Sequence, residues 1–149
     1  MMPNVLACPV LFYGILAAGA VVVPMNPLLK SREVAYYLGD SGASVIFTWD
    51  AAGDEAAKDA AGSGAQVLRV ADPGAQTLPG GRPPLGVWAE CDDAVILYTS
   101  GTMGRPKGAE LTHANLYRNA EVTATTLLTA SPQDVIMGCL PLFHVFGLT

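Results

Sequence analysis

Between Thr99 and Gly108 the chain gathers three hydroxyls (Thr99, Ser100, Thr102), three glycines (Gly101, Gly104, Gly108) and two cations (Arg105, Lys107) within ten residues. That set suits a polyphosphate. Glycine lets backbone N–H groups come close and adopts positive φ without steric cost. Successive N–H groups in such a turn form an anion-binding concavity. Hydroxyls add donors, and a lysine adds a movable point charge. An apolar run, Ala94 to Tyr98, leads into these residues, and Gly108 to Thr112 reads as extended chain. The pattern predicts a phosphate-holding loop that joins the two strands of a hairpin.

Two other phosphate motifs fail on particular residues. In a Walker-type loop counted from Gly101, Lys107 takes the lysine position. The glycine before it is Pro106, which has no N–H, and the Mg2+-ligating Ser/Thr after it is Gly108. A dinucleotide fingerprint needs G-x-G-x-x-G, and Gly101, Gly104 and Gly108 have other spacings. Neither His113 nor His144 lies in a nucleophile motif such as G-x-S-x-G.

The elements that must position this loop follow from periodicity and punctuation. Pro9 to Ala18 reads as an apolar helix ended by Gly19-Ala20, and Val21–Val23 as a β-branched strand stopped by Pro24. Ser31 is the expected N-cap of a helix over Arg32–Leu38, whose Val34, Tyr37 and Leu38 share one face, with Gly39 and Gly42 at its end. Strands are expected over Ser44–Thr48 and Gln66–Val70, with an alanine-rich helix over Asp50–Ala61 between them. From Asp72 to Gly86 proline and glycine dominate and periodicity is lost, as in a surface linker. The chain thus divides into a βα segment (1–71), a linker (72–90) and a phosphate-loop segment (91–149). Trp88 reads as an exposed aromatic beside the next strand. Thr112 caps an expected helix over His113–Leu128, with Leu116, Ala120, Ala124 and Leu127 on one side, and Asp134–Leu140 reads as a further buried strand. Strands alternating with helices predict an α/β fold with a mainly parallel sheet flanked by helices.

Composition narrows the function classes. Hydrophobic residues make up 51% and charged ones 14%, which excludes a disordered chain. A net charge of −5 with scattered basic residues argues against nucleic acid as a partner, so an anion must be held by a local site. Val5 to Met25 carries no charge and is long enough to span a bilayer, but Pro9, Gly14, Gly19 and Pro24 break it into a helix and a strand. No transmembrane segment is therefore expected. Cys8, Cys91 and Cys139 are odd in number and lack metal-ligand spacing, which suits a reduced, cytoplasmic setting.

Tyr98-Thr99-Ser100-Gly101-Thr102-Met103-Gly104-Arg105-Pro106-Lys107-Gly108 resembles the signature of the adenylate-forming (AMP-binding) superfamily, whose usual pattern has a second threonine where Met103 stands. Pro141-Leu142-Phe143-His144 with Gly147 resembles that superfamily's next motif, and Gly19 to Pro27 its early strand and loop. The likeness to fatty acyl-CoA synthetases extends through Ser31-Arg32-Glu33-Val34 to Asp40-Ser41-Gly42-Ala43, leaving only the stretch between Asp50 and Glu90 uncovered.

The resemblance implies two half-reactions. A small-molecule carboxylate, a fatty acid, attacks the α-phosphate of ATP to give acyl-AMP and pyrophosphate, and coenzyme A then displaces AMP. It implies that Thr99, Ser100, Gly101, Thr102, Met103 (through its backbone), Gly104 and Lys107 hold the ATP phosphates. It implies that His144 positions the acid at the acyl pocket. The adenine, Mg2+ and ribose motifs and the catalytic lysine of such enzymes lie past Thr149, so the chain is expected to be part of a longer ligase, inactive alone. Two other readings stay open: adenylation that loads a carrier protein, and a catalytically dead nucleotide-phosphate-binding module.

Overall fold

The computed structural model describes residues 1–50, 62–71, 85–99, 104–129, 131–144 and 147. The expected helix after Asp50 and most of the linker lie outside these residues, as do Ser100, Gly101, Thr102 and Met103.

Helix α1 spans Ala7–Ala17. It ends because Gly19 takes φ +78°, which lets the Gly19 and Ala20 N–H groups fold back onto the Leu16 and Ile15 carbonyls at 2.9 and 3.1 Å. The chain then runs alongside residues 94–96. Val22 donates to the Ala94 carbonyl and accepts from the Ile96 N–H, both at 2.9 Å. The expected strand over Val21–Val23 thereby reduces to a single parallel bridge, Val22 to Val95.

Helix α2 spans Ser31–Ser41. Its cap is not Ser31, as the sequence suggests, but Lys30, whose N–H donates to the Glu33 carboxylate at 2.9 Å. A glutamate three residues into the helix reaches back to satisfy an N-terminal donor, so Ser31 becomes the first helical residue. Gly42, at φ +67°, closes the other end. The buried face is Val34 and Leu38, one helical turn apart.

Strand β1 (Val45–Trp49) pairs in parallel with β2 (Gln66–Val70). Strand β3 (Asp93–Thr99) pairs antiparallel with β4 (Lys107–Thr112). Across β3 the register slips between Asp93 and Val95, so Ala94 is an extra residue and the strand is bulged. Helix α3 (His113–Val122) follows directly, capped by Thr112: its hydroxyl accepts from Asn115 N–H at 3.2 Å while Asn115 Oδ1 accepts from Thr112 N–H at 3.0 Å. The helix runs on into a π-turn, Thr123–Leu127. Helices on small sheets of both senses make the architecture α/β.

Two apolar clusters hold these pieces. Val34 and Leu38 of α2 pack with Met1, Met25, Ile46 and Ala65. Val22, Ala94, Val95 and Leu97 pack against Phe12, Ile15 and Leu16 of α1, together with Leu111 and Leu116. Each fully buried Val or Leu contributes roughly 1.5–3 kcal/mol by leaving water.

The last expected strand is absent. Asp134–Leu140 forms no ladder, and Val135 and Met137 are 97% and 83% exposed. A strand needs a neighbouring backbone to accept its hydrogen bonds, and none of the described residues supplies one. The apolar side expected over His113–Leu128 is likewise only partly covered: Leu116 of α3 packs against the second cluster, whereas Leu127 in the π-turn is 74% exposed.

Candidate functional site

The hairpin is the site's frame. Thr99, the last residue of β3, faces Lys107, the first of β4, and Tyr98 faces Gly108. Two residues expected to grip phosphate therefore stand opposite each other at the open end of an antiparallel ladder. Strands in such a ladder lie about 4.8 Å apart. Thr99 and Lys107 are both exposed. Gly104, between them, takes φ +89°, a left-handed conformation that a side chain would strain. The expectation that the glycine-rich loop joins two strands rather than opening a helix matches this geometry.

Gly108 has a separate reason to be glycine. A Cβ there would lie 2.8 Å from Ile96 Cγ2 and 3.4 Å from the Tyr98 ring. The bare backbone lets the Tyr98 ring lie over the return strand.

Below the loop three tyrosines converge. The Tyr98 ring stacks on Tyr37 with centroids 4.0 Å apart and planes at 15°, and Tyr36 meets Tyr98 edge-on at 6.3 Å. Tyr98 Oη donates to Asp40 Oδ2 at 2.7 Å. Partial burial, then the hydrogen bond to Asp40 and its negative charge, push the Tyr98 hydroxyl well above its ordinary pKa. Tyr36 Oη donates to the Pro106 carbonyl at 2.9 Å.

His144 lies in a turn: its N–H donates to the Pro141 carbonyl at 3.0 Å, and its carbonyl accepts from Gly147 at 2.9 Å. The turn is held from the far end of the chain. Asn4 Nδ2 donates to the Leu140 carbonyl at 2.8 Å, and Asn4 Oδ1 accepts from the Leu142 N–H at 2.9 Å. One amide side chain thus imitates a neighbouring strand on either side of Pro141.

Sequence reasoning named Thr99, Gly104, Lys107 and His144 but missed Tyr36, Asp40 and Asn4. Tyr36 and Asp40 are four residues apart, so one helix face presents both, a signal the apolar Val34–Tyr37–Leu38 stripe overshadowed. Asn4 offered none. Trp88, expected to be an exposed aromatic beside the next strand, is 49% exposed and stacks on His113 at 4.3 Å and 12°.

The sequence profile of the AMP-binding enzyme family matches residues 1–149. The chain belongs to that family. It is 30% identical to the long-chain-fatty-acid–CoA ligase of Bacillus subtilis (strain 168), covering 100% of this chain and 33% of the ligase. It is 36% identical to the sulfoacetate–CoA ligase of Cupriavidus necator, covering 93% of this chain and 28% of that protein. Among solved structures, ATP-bound MatB from Rhodopseudomonas palustris superposes with a TM-score of 0.82 at 32% identity, over 95% of this chain and 29% of that one. The fold is accordingly that of part of the N-terminal domain of adenylate-forming enzymes. The chain spans about a third of the length of the curated relatives it matches. Those two relatives carry different acids in their names, so membership does not by itself select one.

Proposed function

We propose that this chain supplies the phosphate-gripping hairpin of an ATP-dependent acid–thiol ligase that forms acyl-AMP and then acyl-CoA, with a fatty acid as the carboxylate. The observation that carries the reading is the pairing of Thr99 with Lys107 across the mouth of a loop whose Gly104 has positive φ. Attack on the α-phosphate builds negative charge on the departing pyrophosphate. Donors fixed in advance around that charge stabilise it without reorganising. In this reading Thr99 supplies a hydroxyl, Gly104 a close backbone approach and Lys107 the cation. Ser100, Gly101, Thr102 and the Met103 backbone belong to the same grip. His144, its turn clamped by Asn4, positions the carboxylate.

Among the described residues no group of three or more His, Cys, Asp or Glu could hold a metal ion. These residues do not by themselves complete an Mg2+ site. Coenzyme A as the acceptor rests on the relatives' names. No described helix is long and apolar enough to cross a membrane, and three free cysteines suit a cytoplasmic setting.

Binding of ATP and of tripolyphosphate to residues 1–149 tests the grip. We expect saturable binding of both, competition between them, and a weakening of about tenfold or more in Lys107→Ala, with a smaller loss in Thr99→Ala. Equal affinity in wild type and Lys107→Ala would remove the phosphate reading. AMP and acyl-CoA formation from ATP and coenzyme A, with fatty and short polar acids compared, tests the substrate. Acyl transfer to a carrier protein instead of coenzyme A, or binding without turnover, would replace the ligase reading.

A further inference from the structure

Both arms of the phosphate hairpin are tied to one helix. On the outgoing arm, Tyr98 immediately precedes Thr99; its hydroxyl is bonded to Asp40 of α2 and its ring lies on Tyr37 of α2. On the return arm, Pro106 immediately precedes Lys107, and its carbonyl accepts from the Tyr36 hydroxyl of α2 at 2.9 Å. A peptide unit is planar, so the direction of the Pro106 carbonyl sets that of the Lys107 N–H on the other side of the same bond. The proline ring also removes most of the freedom in φ at Pro106. Fixing one carbonyl therefore aims the backbone from which Lys107 departs.

These contacts are not needed to close the hairpin, whose ladder pairs Thr99 with Lys107 and Tyr98 with Gly108 by itself. Nor do Tyr36 and Asp40 belong to the core of α2, which is Val34 and Leu38 on the opposite face of the helix. The contacts link residues 58 and 70 positions apart in sequence and end one residue short of each expected phosphate contact. We infer that Tyr36 and Asp40 are positioning residues for nucleotide phosphate: α2 is the abutment that sets the direction of Thr99 and Lys107 before the polyanion arrives. The inference rests on the phosphate reading above. A preformed grip spends less of its binding energy on ordering the loop, so losing the abutment lowers affinity without removing any group that touches the ligand.

The test uses the whole 149-residue chain with tripolyphosphate and ATP as probes. Tyr36→Phe removes one oxygen, Asp40→Asn one charge, and Lys107→Ala serves as the control for the grip. A second readout is tryptic cleavage after Lys107, which Pro106 prevents after Arg105. We expect Tyr36→Phe and Asp40→Asn each to weaken tripolyphosphate binding by about three- to tenfold, the scale of one hydrogen bond. We expect cleavage after Lys107 to speed up similarly relative to cleavage elsewhere, and saturating tripolyphosphate to suppress it. A merely structural role would lower the melting midpoint while leaving the folded chain's affinity and that relative cleavage rate unaltered. If Asp40→Asn fails to fold, Tyr36→Phe decides alone. Weakened binding in Lys107→Ala beside unaltered Tyr36→Phe would overturn this inference only; unaltered Lys107→Ala would sink the phosphate reading and this role together.

Discussion

Tyr98 is where chemistry and support meet in a single side chain. Its hydroxyl donates to Asp40, and its ring covers the backbone at Gly108. Burial first, then Asp40, hold its ionisation above the ordinary 10.0, and burial with the Glu33 charge raises Tyr37 as well. Because both hydroxyls keep their protons longer in the fold than in the unfolded chain, their contribution is complete below pH 10 and falls as pH rises beyond it. Urea midpoints taken between about pH 8 and about pH 11 should therefore drop at the alkaline end, and Tyr98→Phe should flatten that drop. An equal alkaline slope in wild type and Tyr98→Phe would show that the Tyr98 hydroxyl is not shifted upward in the folded chain. The tyrosine's place before the loop was legible in the sequence. Its partner was not, since an exposed aspartate near a helix end is ordinarily a solvated charge.

At the level of elements, local rules read well where the partner is local. Thr112 and Asn115 cap α3 reciprocally across three residues, and Gly19 ends α1 through bonds of three and five residues' reach, both as the residue types suggest. The misreadings have a common cause. Ser31 looked like a cap because of its type, but Glu33 satisfied the donor from inside the helix. Asp134–Leu140 looked like a buried strand because it is apolar, but composition does not supply a neighbouring strand. The turn that carries His144 shows the same dependence, since Asn4 performs the work of an absent ladder there. In Asn4→Ala, the Leu142 amide should exchange with solvent about fivefold or more faster, while the amides of β3 stay protected. Unchanged exchange at Leu142 would show that the Leu140–Leu142 segment is held by something other than the Asn4 amide.

Taken as a whole, the molecule buries two apolar clusters and leaves a third set of apolar residues outside. Val10, Tyr13, Leu127, Val135, Ile136 and Met137 are each more than half exposed. Val135, Ile136 and Met137 are consecutive, so that stretch presents a run of large apolar side chains to solvent. Residues 1–149 should therefore bind a hydrophobic dye such as ANS while still folded, and Ile136→Ser with Met137→Ser should reduce that signal without moving the melting midpoint. Dye binding that appears only on unfolding would mean that this surface is covered in solution.

What the sequence determined by itself is what its near neighbours can enforce: a glycine-rich loop of hydroxyls and cations, the hairpin that holds it, the capped helix after it, and family membership through contiguous motifs. What only the tertiary structure decided is which distant residues meet the hairpin and the His144 turn. Tyr36 on Pro106, Tyr98 on Asp40, and Asn4 on Leu140 and Leu142 join residues 70, 58 and up to 138 positions apart. Periodicity reports only which face of an element is apolar. It carries no information about which distant backbone a polar tip on that face will meet, because that pairing is set by how the packed elements lie in space.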